Sequence, residues 1–357
     1  MSNTPSEKGS FRRVRRVLLI VLAVFLSLGL GLVCTVGVLY WHGRSSLLGQ
    51  RDEVSVQLPE SFVDSVDEEE DTIEYQGKTY RFNEQVVSVL LMGIDKEDIQ
   101  QSETVGLNGQ ADTLLLATID TVTGAVSILP ISRETMAEVD QYAADGSLIG
   151  TEIMQICLAY AYADGGADSC QNVCRSVSRL LYGIPIDSYI AIDLEGVEVA
   201  TDMIGGVTLE TLEDIAYRKG NVYLSGGETV TLTGHQAMGY LRYRNKDVEA
   251  NNRRMQRQKQ FFTAFVNQAA KKLKQDFTKL DDYYTTLQPY ALSDLDLSKI
   301  TYLVSTCLLN RDQLTLDFRS IKGKSVAGEE YTEFYPDEQS VYEEVLATFY
   351  QEVTETA

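Results

Sequence analysis

Seven cations stand within eighteen residues between Arg242 and Lys259, RYRNKDVEANNRRMQRQK, in a chain whose formal net charge is −21. Arg242, Arg244, Lys246, Arg253, Arg254, Arg257 and Lys259 repel one another there, and a bound polyanion offsets that repulsion. Most of them are arginine, whose planar fork holds two phosphate oxygens where lysine presents a point charge. In a helix that starts near Asn252, Arg254, Arg257 and Gln258 fall at i, i+3 and i+4 and share one face. Phe262, Val266, Ala269 and Leu273 make an adjoining apolar stripe. The free N–H groups of a helix start also favour an anion. Cations beside such a stripe suit a doubly charged head group, such as pyrophosphate, on a long hydrocarbon tail. The competing reading is a solvated helix face with the stripe packed as core.

Two carboxylates and a further arginine extend this chemistry. Asp95 ends a strand reading VVSVLLMGI, and Asp112 opens the next one. If those strands are neighbours, the two acids meet, and carboxylate oxygens beside substrate phosphate are what Mg²⁺ prefers. Taken singly, each is equally an ordinary turn acid. Arg133, in Ser132-Arg133-Glu134, follows a third strand, and open sheets place their ligands at such strand ends. Other chemistries are excluded. The two histidines, His42 and His235, stand alone, so neither a nucleophile's base nor a zinc set is present. The glycines lack Walker or dinucleotide spacing.

The elements that must position these residues alternate. Apolar strands are expected at 86–94, 113–119 and 125–131, then helices at 152–163 and 168–182, a strand at 188–193 and a helix ending at Gly205-Gly206. Val207 to Leu209 is extended. Helices follow at 233–241, 252–273, 277–289 and 297–308, then a strand over 314–321 and a closing helix at 337–351. Strands mixed with helices throughout predict a layered α/β domain. Residues 42–84, with the acidic run Asp67 to Asp71, read as a stalk carrying a short hairpin around Gln76-Gly77.

Val17 to Trp41 contains no charged residue, and about twenty apolar residues span a bilayer as helix. The run is too long for a cleaved signal peptide and ends in Tyr40 and Trp41, which suit the membrane interface. It reads as a single-pass anchor. Lys8, Arg12, Arg13, Arg15 and Arg16 put residues 1–16 in the cytoplasm and everything after Trp41 outside. Nearly all the acids lie in that outer part, which argues against nucleic acid as a partner. Cys170, Val173, Cys174, Val177 and Leu181 fall on one helix stripe, so the thiols read as core. A disulfide to Cys157 or Cys307 is the alternative in an oxidising compartment.

In order along the chain, VLLMGID, ADTLLLATID, ILPISRET, AYAYADGG, YGIPIDSYIAIDLEG, DMIGGV and LTGHQAMGYLRYR with RRMQRQ resemble the motifs of the LytR-CpsA-Psr family over roughly Val86 to Arg319. The resemblance implies a central mixed sheet flanked by helices, with a catalytic domain over 85–352 outside the cell of a Gram-positive-type envelope. It implies a phosphotransferase that moves an anionic glycopolymer, such as wall teichoic acid or capsular polysaccharide, from a polyprenyl-pyrophosphate carrier to peptidoglycan. A hydrolase of the same carrier and a non-catalytic lipid-binding regulator are the rival readings. By motif, Asp95 and Asp112 match the metal-binding acids, with Mg²⁺ as the cofactor. Arg133, Arg242, Arg244, Arg254, Arg257 and Gln258 match residues that contact the pyrophosphate. The sequence departs from the pattern at Ser132 and Glu134, and at Asn251, where the family usually has an Asp and an amide cannot act as a base.

Overall fold

The computed structural model describes residues 34–49, 56–59, 61–67, 72–102, 104–244, 250–310, 315–328 and 331–353. The expected cytoplasmic segment 1–16, most of the apolar run, Lys246 and the Asn251 side chain lie outside these. Among the described residues no helix is long and apolar enough to cross a membrane.

The chain enters through a helix over 34–48 (α1) and the short strands β1 (Ser65–Asp67), β2 (Thr72–Tyr75) and β3 (Lys78–Phe82). Then come β4 (Val86–Ile94), β5 (Ala111–Asp120), β6 (Val126–Ile131), a hairpin of β7 (Met136–Tyr142) and β8 (Leu148–Gln155), and α2 (Ala167–Leu180). β9 (Ser188–Ile192) and α3 (Leu194–Met203) lead to β10 (Val207–Glu210), β11 (Ile215–Tyr217), β12 (Val222–Leu224) and β13 (Thr229–Leu232). After α4 (Gly234–Arg242), α5 (Ala250–Gln275) and α6 (Lys279–Leu287) come β14 (Ala291–Ser293), α7 (Leu297–Asn310) and β15 (Leu316–Phe318). A hairpin of β16 (Gly323–Ala327) and β17 (Thr332–Pro336), then α8 (Glu338–Phe349) and β18 (Tyr350–Glu352), completes the order.

Six strands form the central sheet in the order β14-β9-β4-β5-β6-β15. β5 runs antiparallel to β4 and β6, whereas β9 and β15 run parallel to β4 and β6. The sheet is therefore mixed, as expected. Its middle strands are apolar without interruption because both faces are covered. Leu90, Met92 and Ile94 point into a core with Val173 and Val177 of α2 and Val341 and Val345 of α8. Val87 and Val89 point the other way, toward Leu47 of α1 and Tyr302 and Leu303 of α7. This topology gathers the end of β4, the start of β5 and the ends of β6 and β15 at one edge of the layer.

Three expectations need correction. Residues 152–163 are not one helix: 152–155 end the β7–β8 hairpin and only Ile156–Ala159 coil, as a 3-10 turn. Apolar spacing there fits both periods over so short a run. Order also begins well before Val86. α1 continues past Trp41 to residue 48 and packs Leu47 into the domain, and β1–β3 join β18 in a second sheet. The hairpin at Gln76-Gly77 is present as the turn from β2 to β3, with φ of 53° and 72°. The alternative of a disulfide does not hold either. All five cysteines are free thiols, with Cys157, Cys170 and Cys307 buried in the core.

The β7–β8 hairpin is tied down by charge. Asp140, with its side chain only 4% exposed, accepts from Arg179 Nη1 at 2.8 Å, Arg175 Nε at 3.3 Å and Thr151 Oγ1 at 2.7 Å. Burial raises its pKa, but the hydrogen bonds of Arg179 and Thr151 and the charges of both arginines outweigh that and hold it below the ordinary value. A depressed carboxylate stabilises the fold above its unfolded pKa and loses that contribution as pH falls through the folded value. Asp140→Asn should therefore cost about 1.5–3 kcal/mol at neutral pH, and the difference from wild type should vanish in acid. Urea unfolding followed from pH 7 down through the acid range checks this.

Candidate functional site

Asp112 owes its orientation to an irregularity. β4 and β5 pair in step from Val86–Asp120 to Gly93–Thr113, but the next pair is Ile94–Ala111, which leaves Asp112 as the extra residue of a bulge. Bulges re-aim a side chain, and this one brings Asp112 against Arg133. Arg133 stands on the tight turn after β6, where Thr135 N donates to Ser132 O at 3.0 Å. Its guanidinium donates to Asp112 Oδ1 and, at 2.7 Å, to Gln110 Oε1. Asp95, at the adjoining strand end, lies 3.4 Å from Arg242 Nη2 at an exposed rim.

Burial pushes the Asp112 carboxyl above the usual carboxylate range, Arg133 and Arg244 pull it back, and the charge of Asp95 adds to the rise. Asp95, Arg133 and Arg244 are thus near enough to Asp112 for their charges to act on its carboxyl. Cys157 lies beneath them, its Sγ 3.8 Å from Gln110 Oε1, and burial pushes its thiol up to about 11, so it stays protonated and inert.

Asp112 and Arg133 open onto a cavity of about 520 Å³ between the sheet, α5, the turn after β15 and the β16–β17 hairpin. Its volume is that of an ordinary ligand pocket. Pro130, Phe262, Phe318 and Phe334 give it apolar walls, while Arg133, Arg254, Gln258, Lys259 and Arg319 supply polar groups. Lys259 Nζ sits 4.7 Å from the centre of the Phe318 ring. Arg254 Nε is buried and has no hydrogen-bond partner among the described residues. A guanidinium left so is costly, and an anion in the cavity would satisfy it.

Arg257 behaves differently from its expected role. It is 1% exposed and does not line the cavity. Its Nε donates to Tyr240 O at 2.9 Å, one Nη donates to Tyr243 O and the other pairs with Glu213. Positions i+3 and i+4 of a helix lie about 100° apart, so Arg254 and Gln258 take the cavity side while Arg257 turns inward. The carbonyls it binds flank Arg242 and hold the chain before Arg244. Arg257 is a positioning residue, and its neighbour Arg253 reaches the same Glu213 at 3.1 Å. The apolar stripe divides likewise. Phe262 faces the cavity, meeting Phe318 edge-on at 6.5 Å, whereas Ala269 packs with Phe261 and Phe265 on a core of β10, β11 and α4.

The LytR_cpsA_psr family model matches residues 58–348. The chain belongs to this family. Among curated relatives, it is 28% identical over 231 residues to polyisoprenyl-teichoic acid–peptidoglycan teichoic acid transferase TagU of Oceanobacillus iheyensis, covering 64% of this chain and 65% of the relative. Against TagU of Bacillus subtilis it is 28% identical over 211 residues, covering 59% and 61%. These matches span less than two thirds of the relatives' length. Among solved structures, the crystal structure of B. subtilis TagV superimposes with a TM-score of 0.57 at 22% identity, covering 74% of this chain and 95% of the other. TagT bound to LI-WTA superimposes at 0.56 with 21% identity, covering 74% and 91%. At that identity the likeness establishes the fold.

Within the LytR-CpsA-Psr fold, sequence reasoning passed over several cavity residues. Arg319 directly follows β15, which lies parallel to β6, so the strand-end rule that picks out Arg133 also points to it. Phe334 and the β16–β17 hairpin carry no such signal, nor does Glu213, whose importance comes only from what it pairs with. The charge of Asp95 reaches Asp112, and no cluster of three or more His, Cys, Asp or Glu that could hold a metal occurs among the described residues. Two carboxylates suit an ion that takes its other ligands from phosphate and water.

Two substitutions separate the arginine roles. Arg257→Met should destabilise the fold by about 3–5 kcal/mol, because Glu213 is left without its partner. Arg254→Ala should change thermal unfolding little, since Nε has no acceptor among the described residues to lose, and should weaken binding of a pyrophosphate lipid about tenfold to a hundredfold. Calorimetry and a lipid-binding titration on both variants check this.

Proposed function

We propose that the chain transfers an anionic glycopolymer from a polyprenyl-pyrophosphate carrier to a sugar hydroxyl of peptidoglycan. The observation that carries this reading is Arg254, an arginine whose buried Nε has no partner among the described residues, set where a cationic rim meets an aromatic wall. A pyrophosphate on a prenyl chain presents the two matching surfaces in the same order. The transferase names of the curated relatives agree with it, as does the teichoic acid in the name of the TagT structure.

In this mechanism Arg133, Arg254 and Gln258 hold the pyrophosphate oxygens, with Arg242 and Arg244 at the rim. The acceptor hydroxyl oxygen attacks the sugar-linked phosphorus, and the bond from that phosphorus to the bridging oxygen breaks. Polyprenyl phosphate leaves, carrying the charge that the arginines offset. Asp95 and Asp112 would hold Mg²⁺, which when bound would offset further phosphate charge. Asp112 is also placed to take the hydroxyl proton, which a carboxyl raised by burial accepts more readily than an ordinary one. Asn251 offers no base. The apolar run that starts at Val17 supplies the single-pass anchor, with 1–16 cytoplasmic and the domain on the outer face of the membrane.

The test is reconstitution of the detergent-purified chain with lipid-linked polymer and peptidoglycan, reading polymer attached to the wall and polyprenyl phosphate released. Wild type should need both Mg²⁺ and acceptor. Free polymer formed at the same rate without acceptor would instead identify a hydrolase. Asp112→Asn should lose transfer while keeping lipid binding. Arg244→Ala and Arg254→Ala should each slow transfer about tenfold to a hundredfold, the value of one charge-assisted hydrogen bond. Arg254→Lys should recover only part of the rate, and the double alanine variant should lose less than the product of the singles. Equal affinity for an uncharged prenyl alcohol would sink the head-group reading.

A further inference from the structure

α1 and α7 lie side by side in opposite directions. A Cβ built on Gly43 would fall 2.1 Å from the carbonyl oxygen of Ser298, so only glycine allows this approach. His42 Nδ1 is 3.1 Å from Ser298 Oγ, and the Tyr40 ring meets Tyr302 edge-on at 5.0 Å. Moving back along α1 therefore moves forward along α7. At about 1.5 Å per residue in each helix, residues 34–36 come level with Thr306 to Leu309. There α7 ends against the β5–β6 turn, where Asn310 Nδ2 donates to Val122 O at 3.3 Å. Leu309 is 80% exposed, Val122 66% and Val38 of α1 69%.

The apolar run begins at Val17, and about twenty residues cross a bilayer, so a span that starts there ends near residue 36. That is the level of the exposed Leu309 and Val122. We propose that this end of the domain, formed by Leu309, the β5–β6 turn and the start of α1, rests on the lipid surface. The Gly43–Ser298 clamp then holds the domain upright. The inference depends on the anchor reading of residues 17–41 but not on the transfer activity. Asp120 ends β5 at the same face, so contact comes from apolar insertion rather than attraction to anionic lipid. Asp112 stands at the far end of β5, eight residues away, about 27 Å at the rise of an extended strand. Asp112 and the cavity it lines thus stand well away from that surface.

The experiment places the full chain in nanodiscs of zwitterionic phosphatidylcholine containing lipid with a nitroxide head group. On a Cys34→Ser background, a fluorophore is attached at Leu309→Cys, Val122→Cys or Glu97→Cys, the last beside Asp95. Quenching at the first two and none at Glu97→Cys is the expected result. Quenching at Glu97→Cys, or at none of the three in chains that co-elute with discs, overturns the proposal. Failure to enter discs removes the anchor itself and overturns it by a different route, whatever the transfer assay shows. Gly43→Leu should keep the chain in the disc but abolish the contrast between the two ends. Unchanged contrast would refute the clamp.

Discussion

The cationic rim depends on one buried guanidinium. Arg257 is sealed from water, and burial lowers its pKa, an effect opposed by the nearby Glu213. Such a group survives in a core only when its hydrogen bonds are met. Here they are met by Glu213 and by the carbonyls of Tyr240 and Tyr243, and those contacts fix the path of the chain through Arg242 toward Arg244. Repulsion among the surrounding arginines would otherwise push that segment away from α5. A charge with no contact to the cavity therefore shapes its entrance.

Within the site, acids and arginines already neutralise one another. Asp112 holds Arg133 and Asp95 holds Arg242, so the protein carries arginines there without a free anion. Both pairs are partly exposed, and exposed pairs contribute little to stability. They can therefore be exchanged at small cost. Phosphate can take the arginines while a cation takes the acids, which is what the proposed reaction requires. Arg254 differs from these pairs. Its Nε, like that of Arg319 in the same cavity, has no partner among the described residues, and a bound anion would supply one.

Much of the fold was readable because the sheet is covered on both faces. Continuous apolar runs such as VVSVLLMGI then mark central strands, and helices long enough to show a 3.6-residue period mark themselves. The reading failed at short elements. The β7–β8 hairpin has exposed Leu148, Ile149 and Ile153 on one strand, so its pattern reports neither a buried face nor a strand. The strands β10 to β13 and the β16–β17 hairpin are three to five residues each, below the length at which a period can be counted. α1 was missed beyond Trp41 because its partner, α7, lies more than 250 residues away.

The sequence by itself determined the chemistry available: arginines in excess at one place, two acids at strand ends, an apolar stripe, and no histidine or cysteine arrangement for other reactions. Composition and spacing are properties of the chain, and they need no partner to be seen. Only the tertiary structure decided which of those residues act together. Arg254 and Arg257 are indistinguishable in the motif, yet one faces the cavity and the other is buried, because a helix face is divided by what packs on each side. Asp112 could be an ordinary turn acid until the bulge opposite Ile94 turns it onto Arg133. Long-range pairing sets such orientations, and a single chain read in order carries no record of it.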